Sequence, residues 1–246
     1  AGVPAQLNAA APVTAPQLQR GERIKVQTDA LNVEIDTIGG DIRRLDLRKH
    51  KGDEDKSKDF VLFSDQKPST YIAQSGLIGN ILPSHKTLFT AQGTEFSLAA
   101  GAQELKIKLS APASAGVQVD KIFTFHRGSY VIDVEYQIRN GGESAITPHA
   151  YYQLVRDNSA SKGDSMFIST YAGPAIFTEQ QKFQKISFSD IEKGKATHQK
   201  QSNDGWVAML QHYFVSAWLP ANGINREFYT KSMGENLYAA GVILPI

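Results

Sequence analysis

Cysteine is absent from the 246 residues. The fold therefore has no disulfide framework and no thiolate metal site, and cysteine nucleophile chemistry is excluded. Clean apolar runs of membrane length are absent as well. The longest uncharged stretch, 205–225, is interrupted by Gln211 and His212 and closed near Pro220, which argues against a lone membrane span. Neither charge sign is in excess: 26 Lys and Arg stand against 25 Asp and Glu, so no global field draws in nucleic acid or an anionic membrane. No GxSxG, Walker loop or GxGxxG occurs, and Gly76 and Gly79 in QSGLIGN are too sparse to cradle a phosphate. The histidines, His50, His85, His126, His149, His198 and His212, stand singly with no HxH, HxxxH or HExxH spacing. Neither a metal nor a cofactor is expected from them.

What remains is the composition of a β protein. An apolar fraction of 41% is enough for a globular core. Residues 1–23 are rich in Ala, Pro and Gln, lack aromatics and read as a semi-extended tether. From Ile24 the period becomes two: Leu31, Val33 and Ile35 alternate with Asn32, Glu34 and Asp36, and Gly39 with Gly40 supplies a tight turn before Leu45 and Leu47 resume. A charged loop, 50–59, precedes the short apolar run Phe60 to Phe63. Alternation recurs at Phe96 and Leu98, at Leu105, Ile107 and Leu109, and at Val117 and Val119 leading into Ile122, Phe123 and Phe125. It is strongest at Tyr130, Ile132, Val134, Tyr136 and Ile138, with Asp133, Glu135, Gln137 and Arg139 facing water. Many such strands, with helical turns expected only at 159–165 or 179–182, predict an all-β sandwich of antiparallel sheets.

The segment GWVAMLQHYFVSAWLP, 205–220, holds both tryptophans, and both of its alternating sets are mostly apolar. It reads as buried core, with Trp206, His212, Phe214 and Trp218 as structural residues; strands covered on both faces and a buried helix both fit the pattern. Tyr151, Tyr152, Tyr171 and Phe177 are candidates to line a groove for an extended peptide, against the plainer reading as sandwich core. Arg43, Arg44, Arg48, Lys49 and Lys51 form a local basic cluster that suits lipid headgroups, or a solvated face neutralised by Asp41, Asp46 and Asp53.

The same 205–220 segment resembles part of the large periplasmic domain of the YidC/Oxa/Alb family of membrane protein insertases. Thr28, Asp29 and VEIDTIGGDIRRLDL (33–47), YVIDVEYQIRN (130–140), and Gly173 and Pro174 followed by Lys182, Phe183, Lys185 and Ile186 are similar to it in the same order. The resemblance covers 24–246. It implies a β-supersandwich like that of galactose mutarotases, in one domain forming a periplasmic loop of a multi-pass inner-membrane protein. It also implies a further strand and helix beyond Ile246, without which a sheet edge is expected to lie open. The implied function is non-catalytic assistance to membrane protein insertion. The implied partners are the Sec translocon with its SecD and SecF subunits, nascent membrane protein substrates and the remainder of the insertase chain, with no nucleic acid. A sugar-binding or sugar-converting module is the competing expectation. Mutarotases use a glutamate base and histidines, but the late carboxylates Glu227 and Glu235 sit in no matching motif.

Overall fold

The computed structural model describes residues 18–52, 55–67, 69–159 and 171–246. The alternation of Leu31, Val33 and Ile35 becomes the buried face of a meander made of β1 (Arg23–Gln27), β2 (Leu31–Asp36) and β3 (Asp41–Lys51). Gly39 and Gly40 close its β2–β3 turn at φ 79° and 59°, and a Cβ on Gly39 would lie 2.4 Å from the carbonyl oxygen of His85. Only glycine meets both demands. Then follow β4 (Asp59–Phe63), folded back on β3, β5 (Tyr71–Ile78), and the short β6 (Thr90–Ala91) and β7 (Glu95–Ser97). The wet-faced alternations form a second meander, β8 (Glu104–Ser110), β9 (Val117–His126) and β10 (Ile132–Asn140). The remaining strands are β11 (His149–Asp157), β12 (Ala172–Thr178), β13 (Lys182–Lys185), β14 (Gln201–Ser202), β15 (Trp206–Gln211), β16 (Phe214–Trp218), β17 (Arg226–Gly234) and β18 (Leu237–Pro245).

The strands make a ten-stranded sheet, ordered β14-β17-β18-β11-β5-β3-β2-β1-β7 with β4 beside β3, and two four-stranded sheets, β10-β9-β8-β6 and β13-β12-β15-β16. Pairing is antiparallel except between β1 and β7. The inner face of the large sheet packs on both small sheets, burying Ile24, Ile35, Leu154, Ala240 and Val242 against Ile107, Phe123, Ile176, Val207 and Met209. The architecture is the expected all-β sandwich.

Three details differ from the sequence reading. The segment 179–181 is a turn. The helix among the described residues is instead α1 (Phe188–Glu192), started by Ser187, whose hydroxyl accepts the Asp190 N–H at 3.0 Å, and anchored by buried Phe188 and Ile191. The expected turn at 159–165 falls almost entirely outside the described residues, as does most of the expected tether. Residues 18–22 already lie on the fold. Leu18 packs on Ile72, Val155 and Ala239, the Gly21 N–H donates to Asp36, and the Glu22 N–H donates to Thr37. Finally, β18 is no open edge, because β11 and β17 flank it.

Candidate docking face and polar ladder

The outer face of the large sheet carries a hydrogen-bonded ladder that crosses the strands. Parity places Asp41 and Arg43 of β3, Gln74 of β5, Gln153 of β11 and Tyr229 of β17 on this face. Arg43 Nη2 and Gln74 Nε2 donate to Asp41 Oδ2 at 2.9 and 2.7 Å. Gln153 Nε2 donates to Gln74 Oε1 and Tyr229 Oη to Gln153 Oε1, both at 2.8 Å. Tyr229 reaches across β18 because the intervening residue is Gly241, where a Cβ would stand 2.5 Å from the phenol. Burial raises the Asp41 pKa to about 6 against the pull of Arg43 and Lys121. Beside the ladder, the Tyr151 hydroxyl accepts the His85 backbone N–H at 2.9 Å and also bonds its Nδ1. Burial, then the nearby Lys86, Arg43 and Lys121, holds that imidazole at about 4 and so neutral. The ladder is closed over and makes no opening to solvent at Gln74 or Gln153, both buried. It pairs polar groups across adjoining strands, while Asp41 Oδ1 and Arg43 Nε and Nη1 are buried with no hydrogen-bond partner among the described residues.

Between the large sheet and the β8–β10 meander lies Lys121, 1% exposed. Its Nζ donates to the carbonyls of Gly39, Gly40 and Ser75 at 3.0, 2.8 and 3.3 Å and sits 5.3 Å from the Phe123 ring centre. Burial lowers its pKa to about 8 although Asp41 opposes the shift.

The open surface is elsewhere, on the sheet β13-β12-β15-β16. The register Phe177↔Trp206, Phe177↔Phe183 and Leu210↔Val215 puts Phe183, Phe177, Trp206, Leu210 and Val215 on its outer side, opposite core-facing Ile176, Val207 and Met209. Phe177 stacks on Trp206 with centroids 5.5 Å apart, and Phe183 tilts against the same indole at 6.0 Å. Phe183 is 46% exposed, Val215 57%, Leu219 65% and Tyr213, in the β15–β16 turn, 84%. At one end of this face a cavity of about 260 Å³ is walled by Phe177, Trp206, Leu219 and Pro220, with Glu179 and Asp204 at its rim. A second cavity, about 330 Å³, lies over β1, β2 and β7 among charged side chains such as Lys25, Glu34, Arg44 and Glu95.

The expected buried core of 205–220 is therefore corrected. Val207, Ala208 and Met209 are buried, and Phe214 and Trp218 lie half-buried on the core, Phe214 stacked on Phe60 at 4.0 Å. Trp206, however, faces outward, and His212 occupies the hairpin turn at φ 46°. An apolar set on each side of a strand reports hydrophobicity, not coverage. The four groove candidates do not converge either, because consecutive strand residues point to opposite faces. Tyr151 lies by His85, while Tyr152 lies inside against Trp218 at 5.0 Å. Tyr171 Oη is 2.6 Å from the Pro174 carbonyl and 2.7 Å from that of Ile186, so it ties β12 to the chain after β13. Only Phe177 reaches the cavity. The basic cluster is neutralised residue by residue: Arg43 by Asp41, Arg44 by Asp46, Lys49 by Asp29 and Lys51 by Asp59, while Arg48 donates to the Thr28 carbonyl.

Among the described residues no group of three His, Asp or Glu is placed to hold a metal, and no helix is long and apolar enough to cross a membrane. The family model for the YidC periplasmic domain matches residues 23–246. Membrane protein insertase YidC of Nitrosospira multiformis is 50% identical over 96% of this chain and 42% of its own length. The protein of the same name from Methylobacillus flagellatus is 50% identical over 94% and 41%, and that from Nitrosomonas europaea 47% over 99% and 40%. The chain thus spans about two fifths of the length of these relatives. The β-sandwich, the matched residues and these identities together place the chain in the YidC periplasmic domain family.

Proposed function

We propose that this domain is a non-catalytic accessory lobe of an inner-membrane insertase, which assists insertion and folding by docking to the Sec translocon or by positioning polypeptide substrates. Membership of the family supports the insertase setting. The observation that carries the docking reading is the exposure of Phe183, Val215 and Leu219 around half-buried Phe177 and Trp206 on one sheet face, since exposed apolar surface of this kind marks interaction sites. Sugar conversion would need a carboxylate and a histidine converging in one cavity. A carboxylate does hydrogen-bond a histidine at His126 and Asp133, 2.7 Å apart, but on the exposed side of the β9–β10 hairpin and away from both cavities. A carbohydrate-binding reading draws on the Trp206–Phe177 platform beside Glu179 and Asp204, and titration with monosaccharides read by indole fluorescence tests it.

SecD and SecF are the partners proposed for docking. The test is photocrosslinking from exposed positions of this domain within the full-length insertase, together with an in vivo insertion assay after deletion of the domain. Adducts to translocon subunits or to inserting chains, with slowed insertion, are expected. Normal insertion together with no adduct from any position would refute the reading.

A further inference from the structure

Each sheet ends in strands whose edges are exposed to pairing by another chain, and proteins ordinarily blunt such edges with charge, proline, bulges or short length. Most edges of this domain are blunted. In the large sheet, β14 has two residues, β7 has three, including Glu95, and β4, beside β3, begins with Asp59 and is broken by register shifts. In the meander sheet, β6 has two residues and β10 carries Asp133, Glu135 and Arg139. In the third sheet, β13 carries Lys182 and Lys185. Its other edge, β16, differs. Its five residues, FVSAW, contain no charge, no proline and no register shift, and no Lys, Arg, Asp or Glu occurs from 206 to 225.

The hairpin fixes which backbone groups of β16 have no strand partner among the described residues. Gln211 pairs with Phe214 across the two-residue turn, so this closing pair exchanges both backbone hydrogen bonds. Alternation then turns the N–H and C=O of Phe214, Ser216 and Trp218 toward β15, and those of Val215 and Ala217 toward the open side. The residues whose backbone has no strand partner are also the exposed ones. At the C-terminal end of this edge, Leu219 and Pro220 form one wall of the 260 Å³ cavity, whose other walls are Phe177 and Trp206.

We infer that the β16 edge is a docking strand for an extended, uncharged polypeptide segment, which pairs with Val215 and Ala217 and sets an apolar side chain into the cavity at Leu219 and Pro220. The inference rests on the docking reading and narrows it to one surface and one class of partner. Three features favour this occupant. The edge offers N–H and C=O groups without a strand partner, which a strand satisfies and hydrocarbon does not. An uncharged edge matches an uncharged segment, since no charge here would be desolvated by pairing. The carboxylates Glu179 and Asp204 on the cavity's polar side disfavour anionic headgroups, while its apolar side, Phe177, Trp206, Leu219 and Pro220, suits an apolar side chain entering from the β16 edge.

The probe is a fluorescein-labelled, end-blocked peptide of about ten residues that alternates Val and Thr, read by anisotropy against the 246-residue chain. A matching peptide is N-methylated at alternate residues. Binding is expected, with amide NMR shifts centred on Val215 and Ala217. It should weaken about tenfold or more on N-methylation and in Val215→Lys, which places a charge on the edge at an already exposed site. Ala217→Pro, which removes an outward N–H, serves as a second variant, and thermal unfolding confirms that both fold. Binding that ignores N-methylation and both variants overturns the inference. So does an edge occupied by a second copy, seen as sedimentation of a dimer that Val215→Lys dissociates, or by lipid, seen as Val215-dependent binding to phosphatidylethanolamine and phosphatidylglycerol vesicles. Within the full-length insertase, a crosslinker at Val215 is compared with one at exposed Lys108. Adducts from Lys108 or other exposed positions but not from Val215 sink the β16 assignment and leave the docking reading standing; silence at every position, with normal insertion, sinks both.

Discussion

Replacing Lys121 by Met removes an ammonium ion enclosed between two sheets, together with its pull on Asp41. Burial moves the lysine pKa from the ordinary 10.5 to about 8, and a displacement of that size corresponds to about 3 kcal/mol. The sign follows from proton counts. Between pH 8 and 10.5 the unfolded chain still holds the lysine proton while the folded chain has released it, so stability rises with pH across that window. Tyr71, Tyr136 and Tyr229 act oppositely above pH 10, because burial raises their hydroxyl pKa values and the unfolded chain ionises first. That loss is common to both proteins and cancels in their difference. Urea unfolding from pH 7 to 10 should therefore show wild type gaining about 2 to 3 kcal/mol over Lys121→Met. At pH 7 the variant should be the less stable by about 2 to 4 kcal/mol, because the carbonyls of Gly39, Gly40 and Ser75 lose their donor. Parallel stability–pH curves for the two proteins would show that Lys121 does not titrate as a buried cation and would refute the reasoning.

Two further substitutions test the sheet and the hairpin. Gly241→Ala brings a methyl within 2.5 Å of Tyr229 and 2.7 Å of the Tyr152 carbonyl oxygen. It should cost about 2 to 4 kcal/mol in thermal unfolding, and an unchanged melting temperature would mean the ladder has slack. His212→Gly should cost less than about 0.5 kcal/mol, since φ 46° suits glycine better than histidine. A loss above about 2 kcal/mol would restore His212 to the structural role that its apolar neighbours suggest.

The strands were legible wherever one face meets water. Leu31, Val33 and Ile35 against Asn32 and Glu34, and Ile132 to Ile138 against Asp133 to Arg139, carry parity in their composition, and Gly39–Gly40 carries the turn. The β15–β16 hairpin was not legible, because its turn is Gln211-His212-Tyr213-Phe214 with no Gly, Asn or Asp to mark it, and because the outer face is as apolar as the inner. Part of the buried polar chemistry was readable in retrospect. Lys121 shares parity with Val119 and Phe123, and Arg156 with Leu154, so each is a charge on a core face. The ladder was not readable. Gln74, Gln153 and Tyr229 meet across separations of 79 and 76 residues, and nothing local to any of them marks the pairing. The short helix did carry a local mark, Ser187 three residues before Asp190 and next to Phe188.

The position of β18 constrains the order in which the domain is completed. It lies between β11 and β17 and joins β17 and β14 to the rest of the large sheet, yet it is far from β11 in sequence, the nearest paired residues being Asp157 and Leu237. During vectorial delivery from the N-terminus, β11 and β5 emerge long before the segment that must sit beside them. Until 237–245 arrives, that flank of β11 lacks its strand, so this pairing closes over a long sequence separation and belongs to the slow steps of folding.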